Sequence, residues 1–192
     1  MKSIFKTCAI SLFVLSTSAC SHFGITSEQP KPEKSCAGTT DLPGSLKAQF
    51  VAIEDSTLLQ ATLGEPEKGK LCQGQVYQSK PDSQVTVYRA WNSTNPNSRF
   101  GNWWAFNLPR GKIAQYREDY EICYQWSPLD KMVACTLKAN AKVVVGNGQS
   151  AFCSDYLTYP VSAAQQVYLD NAKDMVLDCK EYDGVMSWHM IQ

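Results

Sequence analysis

Six cysteines after residue 35, at Cys36, Cys72, Cys123, Cys135, Cys153 and Cys179, constrain this 192-residue sequence more than any other feature. None of them forms a CxxC pair, and the only histidines are His22 and His189. The closely spaced Cys and His ligands of a zinc site are therefore missing, and no metal is expected. An even number of separated cysteines reads as a framework of up to three disulfides, with the connectivity left open. Such a framework needs an oxidising compartment. The N-terminus supplies the route: Lys2 and Lys6 form a cationic stretch, Ala9, Ile10, Leu12, Phe13, Val14 and Leu15 an apolar one, and small residues follow. This run is shorter than the roughly 20 apolar residues a membrane-spanning helix requires.

The segment Ser16-Thr17-Ser18-Ala19-Cys20 resembles the lipobox of bacterial lipoproteins. The resemblance implies removal of residues 1–19 and lipidation of Cys20, whose acyl chains would hold the protein at a membrane. Ser21, a residue other than Asp after the lipidated cysteine, implies the outer membrane, facing the periplasm or the cell surface. Cys8 leaves with the signal and Cys20 takes the lipid, so six of the eight cysteines remain for the domain. Residues 20–35 are polar and carry Pro30 and Pro32, as a flexible tether does. A single globular domain is expected over 36–192, long enough for a substantial core. The 18 basic and 18 acidic residues are interspersed without a basic stripe, so a nucleic-acid partner is not expected.

The pattern within the domain predicts an α+β fold. Residues 70–78, 83–91, 102–106, 132–137 and 141–145 read as strands, rich in β-branched and aromatic residues. Gly146-Asn147-Gly148 reads as a turn and 149–153 as a return strand. Residues 109–122 read as a helix with Ile113, Tyr116 and Tyr120 on one face and Arg117 paired with Glu121 at i, i+4. Residues 46–63 and 162–177 fit either helix or strand. The large aromatics Tyr88, Trp91, Trp103, Trp104 and Trp126 are expected chiefly in the core.

Several chemistries are excluded. There is no GxSxG elbow, P-loop or Rossmann glycine pattern, and His189 is the only histidine of the domain. What remains is an arginine, aromatic and amide constellation. Arg89 lies inside Val87-Tyr88-Arg89-Ala90-Trp91, a strand where a guanidinium suits recognition of an anion. Arg99-Phe100-Gly101-Asn102-Trp103-Trp104 sets aromatic faces beside Arg and Gly. Arg117 sits on the helix, and Gln165-Gln166-Val167-Tyr168 comes late.

These elements together resemble the ADP-ribosyltransferase superfamily over about residues 83–170. The resemblance implies a mainly antiparallel split sheet with NAD as substrate. Arg89 corresponds to the arginine that holds the NAD phosphates. The run 101–106, with Trp103 and Trp104, corresponds to the strand beside the nicotinamide. Gln166 stands where the family carries its catalytic Glu, and the family's Ser-Thr-Ser element is absent. Arg99-Phe100-Gly101, Arg117 and Gln166 also resemble the motif set of secreted NAD glycohydrolases of the tuberculosis-necrotizing-toxin type, which use a catalytic Gln. The implied activity is cleavage of NAD at the nicotinamide–ribose bond, with ADP-ribose passing to a protein acceptor or to water, in a toxin-like surface factor. The competing expectation is a non-catalytic envelope lipoprotein that binds a protein or glycan.

Overall fold

The computed structural model describes residues 35–185 and Met190. Residues 1–19, the lipobox Cys20, nearly all of the tether and His189 lie outside the described residues. The domain is α+β, and its sheets are antiparallel throughout. Ten strands form among the described residues: β1 Phe50–Ala52, β2 Leu71–Ser79, β3 Thr86–Trp91, β4 Trp103–Trp104, β5 Lys131–Leu137, β6 Lys142–Gly148, β7 Ala151–Ser154, β8 Leu157–Tyr159, β9 Gln165–Tyr168 and β10 Val176–Asp183. Three short α-helices accompany them among these residues: α1 Ser56–Thr62, α2 Ile113–Asp119 and α3 Ala172–Met175.

The strands order as β1-β2-β6-β9-β4 in one sheet and β10-β5-β3 in a second, with β7 and β8 as a separate hairpin. Among the described residues a single bridge, Tyr88 opposite Ala105, links the two larger sheets. Its two hydrogen bonds, Tyr88 N to Ala105 O at 2.8 Å and the reverse at 2.9 Å, are ordinary ladder bonds. Beyond it β3 and β4 part. One core spans both sheets and includes Val87, Trp91, Trp104, Val133, Val143, Val145 and Val167. The other face of the five-stranded sheet buries Val76 and Val144 beneath Leu58, Leu59 and Leu63 from and after α1. Asp55 caps α1 by accepting from Leu58 N at 3.0 Å.

β6 corrects the reading of Gly146-Asn147-Gly148 as a turn. The strand continues through all three residues, paired with β2 on one side and β9 on the other. The glycines serve close approach: a Cβ at Gly146 would lie 2.0 Å from Gln73 O. Asn147 is fully buried, accepting from Gln73 Nε2 at 2.9 Å and donating to Ala163 O at 2.9 Å. The return strand β7 pairs with β8 rather than with β6. The segment 162–177 resolves into β9 followed by the one-turn α3, and 46–63 into a 3-10 turn, β1 and α1.

All six domain cysteines are paired, as Cys36–Cys72, Cys123–Cys153 and Cys135–Cys179. They span 36, 30 and 44 residues of chain. In the chain-entropy account, loops of that size are each worth about 4 kcal/mol. The first bridge ties the start of the domain to β2. Residues 37–41 are then laced down by side chains: Gln73 and Gln165 amides and the Tyr77 hydroxyl donate to their backbone carbonyls. The third bridge joins the paired strands β5 and β10.

Candidate functional site

Where β3 and β4 separate, the side chain of Arg89 fills the gap. In an antiparallel strand the N–H and C=O of alternate residues point to the same side. Ala105 points to β3, so Trp103 does too. Without a strand partner, the Trp103 carbonyl accepts from Arg89 Nη1 at 2.6 Å, and Ser98 O accepts from Nε at 2.7 Å. Gly101 makes this possible, since a Cβ there would sit 2.4 Å from Nη2. Nη2 makes no hydrogen bond among the described residues. No carboxylate among them lies at ion-pair distance from Arg89 either. Burial lowers its pKa to about 10, so it remains a cation at neutral pH.

The guanidinium borders a cavity of about 200 Å³. Trp103, Trp104 and Gln166 border the same cavity, with Tyr116 of α2, Tyr120 just after it and Trp126. Of the residues expected from sequence, these four, Arg89, Trp103, Trp104 and Gln166, come together. Trp104 is 2% exposed, and its indole N–H donates to Gly101 O at 2.7 Å, so it belongs to the floor. Trp103 meets Tyr168 edge to face at 5.0 Å. Tyr116 and Tyr120 stack in a tilted pair at 4.6 Å, and burial raises the pKa of both. Trp126 departs from the expectation that it is core. It is 54% exposed and borders the cavity.

Arg99 and Arg117 take other places. Arg99 pairs with Glu181 of β10 and lies 4.4 Å from the centre of the Phe100 ring, outside the cavity lining. Arg117 donates from Nη1 to Ile122 O at 3.2 Å and from Nη2 to Ser127 O at 2.5 Å. It thereby shapes the loop that carries Trp126. The expected pairing of Arg117 with Glu121 does not form.

The reason lies in how α2 begins and ends. Gly111 has φ +84°, and the helix starts two residues later rather than at Pro109. At the other end, Ile122 N donates to Arg117 O at 2.9 Å and Glu121 N to Glu118 O at 3.5 Å. These are the two bonds of a Schellman ending, whose left-handed residue is normally Gly. Here that residue is Glu121, with φ +47°. Left-handed backbone turns its side chain off the helix surface and into the fold.

Glu121 is 3% exposed and Gln166 6%. Gln166 Nε2 donates to Glu121 Oε2 at 2.7 Å and approaches Tyr120 O at 3.4 Å. Oε1 of Glu121 has no hydrogen-bond partner. Burial pushes the carboxyl pKa up to about 9, offset in part by the Gln166 amide and the Ser162 backbone N–H. Glu121 is therefore a neutral acid at pH 7. Gly148 of β6 supplies the space, since a Cβ there would lie 1.7 Å from Oε2. Sequence reasoning treated Glu121 as a surface helix residue. Its only linear signal is a carboxylate just past the end of a helical period, where a glycine would suit the chain.

Among the described residues, no three His, Cys, Asp or Glu side chains are grouped to hold a metal ion. Comparison of the chain with protein-family models, with curated proteins and with solved structures gives no match.

Proposed function

We propose that this is an exported lipoprotein, anchored through Cys20 at the outer membrane, whose cleft takes NAD in the manner of an ADP-ribosyltransferase-like domain. Arg89 would meet a phosphate, Trp103, Tyr116 and Trp126 would flank the ring end, and Gln166 would stand beside the bond between nicotinamide and ribose. ADP-ribose would pass to a protein acceptor or to water. The observation that carries this reading is the meeting of a half-buried cation without a carboxylate partner among the described residues, aromatic rings and Gln166 on one cavity. Aromatic faces and a guanidinium are suited to a flat ring and an anionic group held side by side. A cavity of about 200 Å³ is enough for one ring and its nearest substituents, so the rest of a dinucleotide would extend past Trp126 into solvent.

A second reading, an envelope lipoprotein that binds its partner without turnover, is favoured by one observation. Among the described residues, Glu121 is the only carboxyl residue in the cavity lining, and burial keeps it protonated at neutral pH. The cationic sugar that forms as nicotinamide departs gains most from a fixed negative charge, which the cleft then lacks.

Incubating the oxidised mature protein with NAD separates the two. Nicotinamide release that is lost in Arg89→Ala and Gln166→Ala supports cleavage. Binding without release supports the second reading. Neither binding nor release, with or without added acceptor proteins, removes NAD from consideration.

A further inference from the structure

Arg89 carries more than its place between β3 and β4 uses. A guanidinium has five N–H donors. Two hydrogen bonds engage them here, from Nε to Ser98 O and from Nη1 to Trp103 O. Both acceptors are neutral, so they satisfy donors without compensating the charge. A cation partly withdrawn from water costs free energy until an anion pairs with it. None of the ion pairs among the described residues includes Arg89. Nη2 also stays open. Ser83 Oγ, Trp91 Nε1 and Glu121 Oε1 are the sealed side-chain atoms left without a partner among the described residues, and Nη2 is not one of them.

The rest of the lining limits what can meet that nitrogen. The cavity holds about 200 Å³, bordered by Trp103, Tyr116 and Trp126. That is room for one ring and its nearest substituents. Lys70 borders it too, but its ammonium donates to Ala61 O of α1, a residue outside the lining. The Glu121 carboxyl brings no competing anion, since Oε1 is sealed and Oε2 accepts from Gln166. One positive charge is thus left for the cavity. It matches a carboxylate better than a phosphate dianion, and a planar carboxylate suits a planar guanidinium.

We propose that the cleft binds a small aromatic carboxylate, its carboxylate on Arg89 Nη2 and its ring among Trp103, Tyr116 and Trp126. The inference rests on the second reading, binding without turnover, and names the class of ligand bound. It sets anion and ring together in one cavity, whereas a dinucleotide carries its phosphates a ribose away from the ring. Nε and Nη1 then hold the two strands, and Nη2 receives the ligand. Burial lowers the Arg89 pKa only to about 10, so the charge is present throughout the neutral range.

The test is calorimetric titration of the full oxidised protein at pH 7.5 with benzoate, benzamide, acetate, phenyl phosphate and NAD. Benzoate and benzamide share a ring and nearly a shape, and differ in charge. Benzoate should bind about tenfold more tightly, because a hydrogen bond between charged groups outweighs one to a neutral acceptor. Acetate lacks the ring and should bind about tenfold more weakly than benzoate. Arg89→Gln keeps N–H donors without the charge and should lose the preference for benzoate over benzamide. Trp126→Ala should weaken benzoate several-fold and leave acetate unchanged. The comparison of ligands uses the wild type, so it decides even where Arg89→Gln does not fold. Benzoate no tighter than benzamide, phenyl phosphate tighter than benzoate, or an unchanged preference in folded Arg89→Gln would overturn the proposal. NAD binding with any of these outcomes leaves the cleft as an NAD site and removes only the carboxylate. The expected preference together with nicotinamide release from NAD keeps the ligand class and removes the reading without turnover. Failure of every probe removes both.

Discussion

Gln166 Nε2 donates to Glu121 Oε2 at 2.7 Å, across 45 residues of sequence, and neither side chain is more than 6% exposed. This bond joins the end of α2 to β9, and so fixes the wall of the cleft that α2 provides. It also ties the protonation of one residue to the stability of the whole fold.

That coupling has a definite sign. The folded-state pKa of Glu121 is about 9, raised from 4.5. The unfolded chain therefore releases the proton first as pH rises. The stability contributed by the acid form is complete below about pH 4.5 and is lost progressively up to about pH 9. Glu121→Gln, which cannot ionise, should match the wild type near pH 4 and exceed it by at least about 1 kcal/mol at pH 8. Urea unfolding at the two pH values measures the difference. Equal gaps at both would show that Glu121 ionises normally in the folded protein.

Gly148 should be intolerant of even one methyl group. Gly148→Ala places a Cβ against Oε2 and should destabilise the protein by about 1–3 kcal/mol. Combining it with Glu121→Gly removes the clash, so the double variant should be more stable than the two losses summed. A double-mutant cycle by thermal unfolding reads the coupling. Strict additivity would mean that the carboxyl moves aside freely.

Arg89 is both a bracket and a cation. Arg89→Lys keeps the charge but not the two-point hold on Ser98 O and Trp103 O. We expect a loss of about 2 kcal/mol in stability, since hydrogen bonds to charged groups are worth about 1.5–3 kcal/mol each. Binding of NAD should fall at least tenfold. A thermal scan and a titration on the same sample show whether the two effects move together.

Trp126→Ala separates rim from core. The ring is more than half exposed, so folding stability should change by no more than about 0.5 kcal/mol. Ligand affinity should fall several-fold if the ring covers a bound ligand. Titration against NAD and nicotinamide, beside a urea curve, checks both halves. A large drop in stability would return Trp126 to the core role expected from sequence.

The disulfide framework was legible because cysteine number and spacing leave little else in an oxidised domain, and three bridges form. The strands at 71–79, 86–91 and 131–137 were legible because β-branched and aromatic residues cluster there over short runs. The stretch 146–148 was misread. Glycine is the same signal whether a chain turns or another group comes close, and only the third dimension shows Gln73 and Glu121 against it. β10, at 176–183, was missed as a strand because it is exposed along nearly its whole length and so has no hydrophobic alternation. In the cleft, Arg89 and Gln166 stood out as polar residues inside strand-like runs. Glu121 did not, because helical periodicity runs smoothly past the point where its backbone inverts.

The Cys36–Cys72 bridge has a mechanical consequence. Any pull on the chain before residue 36 divides at that cysteine, and part of it travels through sulfur directly into the end of β2 that pairs with β6. The amide contacts that hold residues 37–41 therefore cannot be peeled away one after another while the bridge is intact. Load is passed to the β2–β6 pairing instead of to a loose end. A domain held by its leading end would thus keep its shape under traction, and cutting this single bond should convert a stiff attachment into one that unravels.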